Sequence, residues 1–303
     1  MELLKIPCRD GVDLGGWLIP AKGPEKGVVQ INPATAVVSR LYRPFAEYLS
    51  SEGWNVVCYD YRGTGASKDP ALRPREIGFT TWAEYDVSDV TCYVNQRFFG
   101  LPHLAVGHSF GGHAFGFSDA TNLLDGAVLV AAHVGCYRHV RGLFERLRVW
   151  FLLKLALPAA GLFVDTIPSR QFGVGDDLPA GVAFEWSRWT SMENYFFDDE
   201  ALRLKERFAS VRVPLLSIGI DDDPWAPPHA VDALAAHFTG TTVERWQRGP
   251  AHSHGRPVGH IGFFRRAHRD TLWPELERWL SERVSCPHAI AASSISSSAH
   301  SAM

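Results

Sequence analysis

A serine lies between closely spaced glycines in the stretch Gly107-His108-Ser109-Phe110-Gly111, which matches the pattern G-x-S-x-G. The apolar run "LPHLAV" precedes this stretch, and the helix-forming run "GGHAFGF" overlaps its end. This context predicts a sharp strand-to-helix turn, in which side chains at the two glycine positions would clash with neighbouring backbone. Ser109 is therefore a candidate nucleophile, and the helix that follows would aim backbone N–H groups at a developing oxyanion. A glycine-rich turn with a capping serine is the alternative.

A serine hydroxyl is a weak nucleophile until a base accepts its proton. After a turn of this type, an acid and then a histidine are expected to follow along the chain. The predicted base is His260, which stands in the run "PVGHIGFFRR" before the last predicted helix. His252 and His254 are loop neighbours that could be solvated or line the pocket, and His108 is expected to pack away from the serine hydroxyl. The histidines show no metal-ligand spacing such as H-E-x-x-H, so we predict neither a metal nor a cofactor.

Three aspartates in a row follow the predicted strand "VPLLSIGI", in the stretch Asp221-Asp222-Asp223-Pro224. Asp221 is expected to belong to the end of the strand. Asp223 precedes a proline, which biases its backbone to extended geometry. We therefore predict Asp222 as the acid that fixes the imidazole tautomer, with Asp223 as the alternative.

An oxyanion site needs two N–H donors. One is expected from Phe110, directly after the serine, and one from the loop Asn32-Pro33-Ala34-Thr35 that follows the strand "GVVQIN". Pro33 has no N–H, so Ala34 or Thr35 must donate, and we predict Ala34. Loss of one such donor typically costs about 3–4 kcal/mol of transition-state stabilisation.

Predicted strands alternate with predicted helices over residues 1–136 and again over 208–285. This alternation is typical of a mostly parallel sheet, here of about eight strands, with helices on both faces. Residues 137–207 hold no convincing strand, and we predict that they form a helical cap inserted before the acid-bearing strand. Residues 286–303 are rich in Ser and Ala and are predicted to be a disordered tail.

Aromatic residues are frequent in the predicted cap. Trp186, Trp189, Tyr195 and Phe196 could form an apolar substrate pocket, to which Trp225 of the aspartate turn would add. They could equally pack the cap against the core, because large aromatic side chains serve both purposes.

The run "VWFLLKLALPAAGLFV" (149–164) is the most membrane-like segment of the sequence. A spanning helix needs about 20 apolar residues, whereas this run is shorter and contains Lys154 and Pro158. We predict a helix and a bend inside the protein and no stable insertion into a membrane, with docking to a surface as the alternative.

The composition is that of a globular protein with a substantial core. The chain has 303 residues, of which 46% are hydrophobic and 21% charged, and a net charge of −3. The charge gives no general attraction to nucleic acid, so we expect a small molecule as the partner. The five cysteines form no C-x-x-C pair, and the first residues "MELLKIPCRDGVDL" do not read as a signal peptide. We therefore expect reduced thiols and a cytoplasmic protein.

Taken together, "GHSFGG", "DDDPWAP" and "GHIGFF" resemble the α/β-hydrolase superfamily, as does the stretch "DYRGTGAS" (60–67). The combination of "NPATA", "DDPW" and "GHIGFFR" looks like a bacterial group of predicted hydrolases. The resemblance implies an α/β-hydrolase fold over about residues 5–283. A related branch uses the first aspartate of a D-D-x-x-x-P turn, which implies Asp222. Arg62 is expected to be a structural ion-pair partner.

These observations predict a serine hydrolase with a triad of Ser109, Asp222 and His260 that cleaves a carboxylic ester, thioester or amide of a small, largely apolar substrate. An acyltransferase or a serine peptidase could use the same residues. A non-catalytic ligand-binding protein of this fold is the alternative from a different class. The sequence does not indicate an oligomeric state.

Overall fold

The computed structural model describes residues 1–172 and 175–285, and the tail predicted at 286–303 lies outside this range. The described strands are β1 (Glu2–Pro7), β2 (Asp13–Ile19), β3 (Gly27–Asn32), β4 (Trp54–Tyr59), β5 (His103–His108), β6 (Gly126–Val130), β7 (Thr166–Ile167), β8 (Leu178–Pro179), β9 (Leu215–Ile220) and β10 (Val243–Arg248).

The described α-helices are α1 (Arg43–Ser51), α2 (Phe79–Thr81), α3 (Ser88–Arg97), α4 (Phe110–Phe117), α5 (Leu143–Phe151), α6 (Leu157–Phe163), α7 (Ala180–Trp189), α8 (Leu204–Ala209), α9 (Pro228–Ala235), α10 (Gly259–Gly262) and α11 (Leu272–Ser285). Two π-helical turns continue helices without a break: Trp82–Val87 joins α2 to α3, and Leu152–Ala156 joins α5 to α6.

One eight-stranded sheet runs through the molecule in the order β1-β2-β4-β3-β5-β6-β9-β10. The strands from β4 to β10 in this order are parallel, while β2 pairs antiparallel with both β1 and β4. The prediction of a mostly parallel sheet of about eight strands in an α/β-hydrolase fold is thus confirmed.

The strand sequences explain their places in the sheet. Every residue of β3, β4, β5, β6 and β9 is buried, as expected for strands covered by helices on both faces. The outermost strand β1 instead alternates buried and exposed residues over its second half. Two separate clusters of buried apolar residues occupy the two faces of the sheet.

The chain between β6 and β9 contains α5, α6, α7 and α8. It also contains a small antiparallel pair of β7 with β8, which the sequence did not predict, because two-residue strands are too short to show alternation. The run 149–164 is helical as far as Phe163, but it is not enclosed by the protein. Leu152 and Leu153 are buried, whereas Phe151 and Phe163 are exposed. No helix in the described ranges is long and apolar enough to cross a membrane.

The last predicted helix is divided. The structure has a short α10 and then α11, which begins only at Leu272. Pro274 lies in the first turn of α11, where its missing N–H needs no partner. A helix that ran back through Asp270 would bring the proline ring against the carbonyl of that residue, so the helix begins beyond it.

The loop after β4 is tied to its surroundings by the buried Arg62. The Arg62 guanidinium donates to Asp86, with an Nε–Oδ1 distance of 2.5 Å, and to Asp10, with an Nη1–Oδ2 distance of 2.5 Å. This is the structural ion pair expected for Arg62. Among the described residues, Cys8, Cys58, Cys92 and Cys136 are free thiols.

Candidate active site

Four segments that follow strands β3, β5, β9 and β10 meet at the carboxyl-terminal edge of the parallel strands. They carry Thr35, Ser109, Asp223 and His260 respectively, and His260 lies in the short helix α10. Ligand sites of open α/β sheets lie at this edge, where loops from neighbouring strands converge.

Ser109 lies at the tip of the predicted strand-to-helix turn. Its backbone has φ 52° and ψ −112°, a region that costs roughly 1–3 kcal/mol and persists only when the surroundings enforce it. A Cβ on Gly107 would lie 2.3 Å from the carbonyl oxygen of Gly111, and a Cβ on Gly111 would lie 2.1 Å from that of Asn32. The glycines are therefore required where they stand, and they let the turn project the Ser109 side chain above the sheet.

Ser109, His260 and Asp223 form a continuous chain of hydrogen bonds. The Ser109 Oγ lies 3.0 Å from Nε2 of His260, and Nδ1 of His260 lies 2.6 Å from Oδ2 of Asp223. A carboxylate can only accept, so the neutral imidazole carries its proton on Nδ1 and leaves the Nε2 lone pair for the serine hydroxyl. This is the geometry of a nucleophile, a base and an orienting acid.

The predicted acid Asp222 is not at this position, and the assignment is corrected to Asp223. The Asp222 carboxylate accepts the N–H groups of Val258 (2.8 Å) and Gly259 (3.1 Å), so it holds the loop before His260 in place. The Asp223 side chain turns inward, where its Oδ1 accepts the N–H groups of Trp225 (2.8 Å) and Ala226 (3.2 Å). These bonds leave Oδ2 directed at the imidazole.

Asp223 is fully buried, yet it is held in its charged form. Burial alone would raise the pKa of its carboxyl. The charge of a protonated His260 and the hydrogen bond from its ring outweigh burial and lower that pKa to about 2. The carboxylate is thus ionised throughout the neutral range and can stabilise an imidazolium.

The oxyanion donors differ in part from the prediction. Phe110 opens α4 beside Ser109, and its N–H belongs to the first turn, whose amides have no partner within the helix. The N–H of Ala34, the predicted second donor, already donates to the Tyr42 hydroxyl at 2.8 Å. Thr35, the alternative, lines a small cavity together with Ser109 and Phe110, and no acceptor for its N–H occurs among the described residues. Thr35 therefore replaces Ala34 as the candidate.

His108 links two of these loops, a role that its sequence position did not reveal. Its Nε2 donates to the backbone carbonyl of His260 at 2.8 Å, so its Nδ1 accepts the hydroxyl proton of Tyr42 at 2.8 Å. Burial lowers the pKa of His108 to about 3, which keeps the ring neutral, and raises the pKa of Tyr42 well above its usual value. Because Tyr42 also accepts from Ala34, a buried relay connects the histidine loop to the oxyanion loop.

Removal of the Tyr42 hydroxyl tests this relay. We expect Tyr42→Phe to lower kcat roughly tenfold, about 1.4 kcal/mol in the barrier, because the loops that carry His260 and Thr35 lose their common anchor. KM should change little, since Tyr42 does not line the main cavity. Steady-state kinetics on an ester would separate the two parameters.

Tyr48→Phe is the matched control. Tyr48 is also largely buried, but it packs its ring on Trp273, away from the relay. The control should keep wild-type kcat. If both variants lost kcat in proportion to their losses of stability, Tyr42 would only support the fold.

A cavity of about 240 Å³ opens at Ser109 and His260. Of the three predicted pocket tryptophans, Trp186 and Trp225 line it, and the Trp225 ring lies 5.9 Å from that of His260. Trp189 does not: it is fully buried and stacks on Phe79 with ring centroids 5.8 Å apart, so it belongs to the core. Trp186 and Trp225 thus form part of a pocket, as in the first interpretation of the aromatic residues, whereas Trp189 packs in the core, as in the second.

A second cavity, of about 30 Å³, is also lined by Ser109, together with Phe110. His113, His133 and Tyr195 line it. Tyr195 was among the pocket candidates from the sequence, but neither of the two histidines was. His133 donates its Nδ1–H to the carbonyl of Ala131 at 3.1 Å. Burial, together with the charge of a protonated His260, lowers the pKa of His133 to about 4, so its ring is a neutral wall of the site. The other loop histidines, His252 and His254, are exposed.

The sequence pattern of the alpha/beta hydrolase family matches residues 32–281, which is most of the chain. The chain therefore belongs to the alpha/beta hydrolase family. No curated protein matches the sequence.

Solved structures share the fold at low sequence identity. The chain is similar to DcsB, which was solved with a substrate analogue (TM-score 0.63, 16% identity, covering 94% of this chain and 98% of that one). It is similar to Est1E from Butyrivibrio proteoclasticus with bound ferulic acid (TM-score 0.60, 15% identity, 93% and 100%). It is also similar to the esterase EaEST from Exiguobacterium antarcticum (TM-score 0.57, 17% identity, 94% and 100%). These likenesses extend over nearly the whole of each chain and concern the fold.

Proposed function

We propose that the protein is a serine hydrolase that cleaves a carboxylic ester of a small, largely apolar substrate through an acyl-enzyme. The observation that carries the proposal is the chain of hydrogen bonds from Asp223 through His260 to Ser109, at 2.6 and 3.0 Å. Of the similar structures, EaEST is named as an esterase, and Est1E was solved with bound ferulic acid, a carboxylic acid. Both observations agree with an ester as the substrate.

In the first half of the reaction, the Ser109 Oγ attacks the ester carbonyl carbon while Nε2 of His260 takes the hydroxyl proton. Charge moves to the carbonyl oxygen, which accepts from the N–H groups of Phe110 and Thr35. The C–O bond to the alcohol then breaks, and His260 returns the proton to the leaving oxygen. An acyl group remains on Ser109.

In the second half, His260 removes a proton from water, and the resulting nucleophile attacks the acyl carbon. The bond to Oγ breaks, Ser109 regains its proton from His260, and the carboxylic acid leaves. Asp223 stays ionised and stabilises the imidazolium in both halves. Neither a metal nor a cofactor enters these steps, and the cytoplasm remains the predicted location.

The cavity supports a small substrate. Its volume of about 240 Å³ lies below the roughly 300–1,000 Å³ of pockets that take drug-sized ligands. Trp186, Trp225 and Leu152 give it apolar walls. We further infer that residues 137–207 act as the cap, because Trp186, Leu152 and Arg148 reach this cavity from that segment.

A panel of p-nitrophenyl esters of increasing acyl length, with matched thioesters and anilides, tests the proposal. We expect the esters to be cleaved fastest, with short acyl chains preferred and a free acid as the product. Protein carrying Ser109→Ala and purified identically would correct for contaminating esterases.

Other outcomes of this panel would replace the proposal. Faster cleavage of the anilides would indicate a peptidase. Transfer of the acyl group to an added alcohol, with little free acid, would indicate an acyltransferase. Inert substrates together with tight binding of a small molecule would indicate a ligand-binding protein.

A further inference from the structure

The helical run from α5 through the π-helical turn to α6 presents large apolar side chains to solvent. Leu143 is 70% exposed and Phe144 81% exposed. The exposed residues of its first part, here called the apolar face, are Leu143, Phe144, Leu147, Trp150, Phe151 and Leu155. Leu162 and Phe163 continue the exposure at the end of α6. Soluble proteins rarely expose so many adjacent apolar side chains unless a partner covers them.

The spacing places these residues on one side of the helix. Positions three, four and seven apart, such as Leu143, Leu147 and Trp150, fall on one side. The opposite side carries Val149, Leu152 and Leu153, which are buried against the rest of the protein. The helix is therefore apolar towards the core and apolar towards solvent, unlike an ordinary surface helix with a polar outer face.

The helical run and the residues just before it, here called the basic segment (138–164), carry a positive net charge. Residues 138–164 contain five Arg or Lys and one Glu, a net charge of +4, although the whole chain carries −3. By helical spacing, Arg146 and Arg148 fall at the two borders of the apolar face. Asp165, directly after the segment, is paired with Arg75.

We propose that the apolar face docks on an anionic lipid surface. Helices that lie in a membrane interface carry Trp, Phe and Leu on one face and Lys or Arg beside it, and basic groups add attraction to anionic headgroups. A second copy of the chain is the less suitable occupant. A symmetric dimer would set the same patch against itself and bring two segments of charge +4 together.

Docking would bring a helix that lines the candidate active site against the lipid. Arg148 and Leu152, from the same helical run, line the cavity at Ser109. An amphiphilic ester held in the lipid would then be concentrated near this cavity. This consequence rests on the proposed function, whereas the docking itself does not.

Sedimentation of the full chain with lipid vesicles tests the docking. Vesicles of phosphatidylglycerol mixed with phosphatidylcholine should carry the protein down at low salt, and phosphatidylcholine alone should carry much less. High salt should weaken the binding, because exposed charges are screened. Ser109→Ala should bind like the wild type, since the apolar face does not need the nucleophile. Failure of docking and failure of catalysis are therefore read separately.

The double variant Phe144→Glu and Phe151→Glu should weaken vesicle binding at least tenfold, because burial of the two Phe side chains in an apolar environment would favour docking, whereas carboxylates at these positions would oppose it. Phe99→Glu is the matched control. Phe99 is 90% exposed and lies beyond α3, near the start of β5 and so at the opposite edge of the sheet. It should bind like the wild type.

Three results would overturn the proposal. The first is that the wild type fails to bind the anionic vesicles, and the second is that the double variant binds them as well as the wild type does. The third is that the wild type is a dimer in solution while the double variant is a monomer. The last result would assign the face to a second copy. Retained labelling of Ser109 by a fluorophosphonate would show that the double variant is folded.

Discussion

Ser109→Ala should lower kcat for ester hydrolysis by about 10⁶-fold, the size of loss found when the serine of a triad is removed. The variant lacks the oxygen that would form the acyl-enzyme of the proposed reaction, so that only the oxyanion donors and substrate binding would remain. The fold should survive, because the hydrogen bond that the variant loses joins the Ser109 Oγ to the side chain of His260 within the site and not to the backbone of the sheet. Steady-state kinetics on the best ester of the panel would measure the loss.

Ser118→Ala is the matched control for this variant. Ser118 lies just past α4, and its hydroxyl contacts Ser88 and the N–H of Ala120. It should keep wild-type kcat. A Ser109→Ala enzyme that retained more than a small fraction of the wild-type rate would place the nucleophile elsewhere.

Asp223→Asn should lower kcat by roughly 10⁴-fold, as for other triads in which the acid becomes an amide. The backbone N–H groups of Trp225 and Ala226 donate to Oδ1, so the amide oxygen of the asparagine would stay there. Its NH₂ group would face Nδ1 of His260 and donate to it. The imidazole would then carry its proton on Nε2 and could not accept the serine proton.

Asp222→Asn distinguishes the two neighbouring aspartates. The Asp222 carboxylate accepts the backbone N–H groups of Val258 and Gly259, and an amide oxygen can still accept one of them. We expect a loss of kcat below about tenfold, caused by a looser histidine loop. A larger loss for Asp222→Asn than for Asp223→Asn would return the role of the acid to Asp222.

The sheet and the sharp strand-to-helix turn at Ser109 were predictable because their causes are local. Buried parallel strands appear in a sequence as continuous apolar runs, and the runs of β3, β5 and β9 were all recognised. The glycines around Ser109 have steric reasons that the sequence pattern carries, and the contacts of Gly107 and Gly111 bear these out. His260 was predicted from its place before the last helix, and the structure brings it to Ser109.

The choice between Asp222 and Asp223 could not be made from the sequence. It depends on which way one carboxylate turns after β9, and that is decided by the backbone donors of Trp225 and Ala226. The donor choice at the oxyanion loop failed for a similar reason. The N–H of Ala34 donates to the hydroxyl of Tyr42, which lies eight residues later in a helical turn. No local sequence pattern predicts this hydrogen bond.

For Trp189 and the run 149–164, the sequence likewise could not predict which side chains are buried. Helical periodicity places residues on a face but does not say which face meets the core. Trp189 turns into the core, whereas its neighbour Trp186 reaches the cavity. The run 149–164 has apolar residues on both sides, so its sequence suggested burial, and only the structure reveals that one side is exposed.

Covalent labelling by a fluorophosphonate probe, followed by peptide mapping, tests most directly whether Ser109 is an activated nucleophile. The probe reacts with a serine whose proton is taken by a neighbouring base, and it needs no knowledge of the substrate. We expect one modified residue, Ser109, with labelling lost in Ser109→Ala and strongly slowed in Asp223→Asn. An unlabelled wild type, under conditions that label a control serine hydrolase, or a label on another residue, would contradict the account.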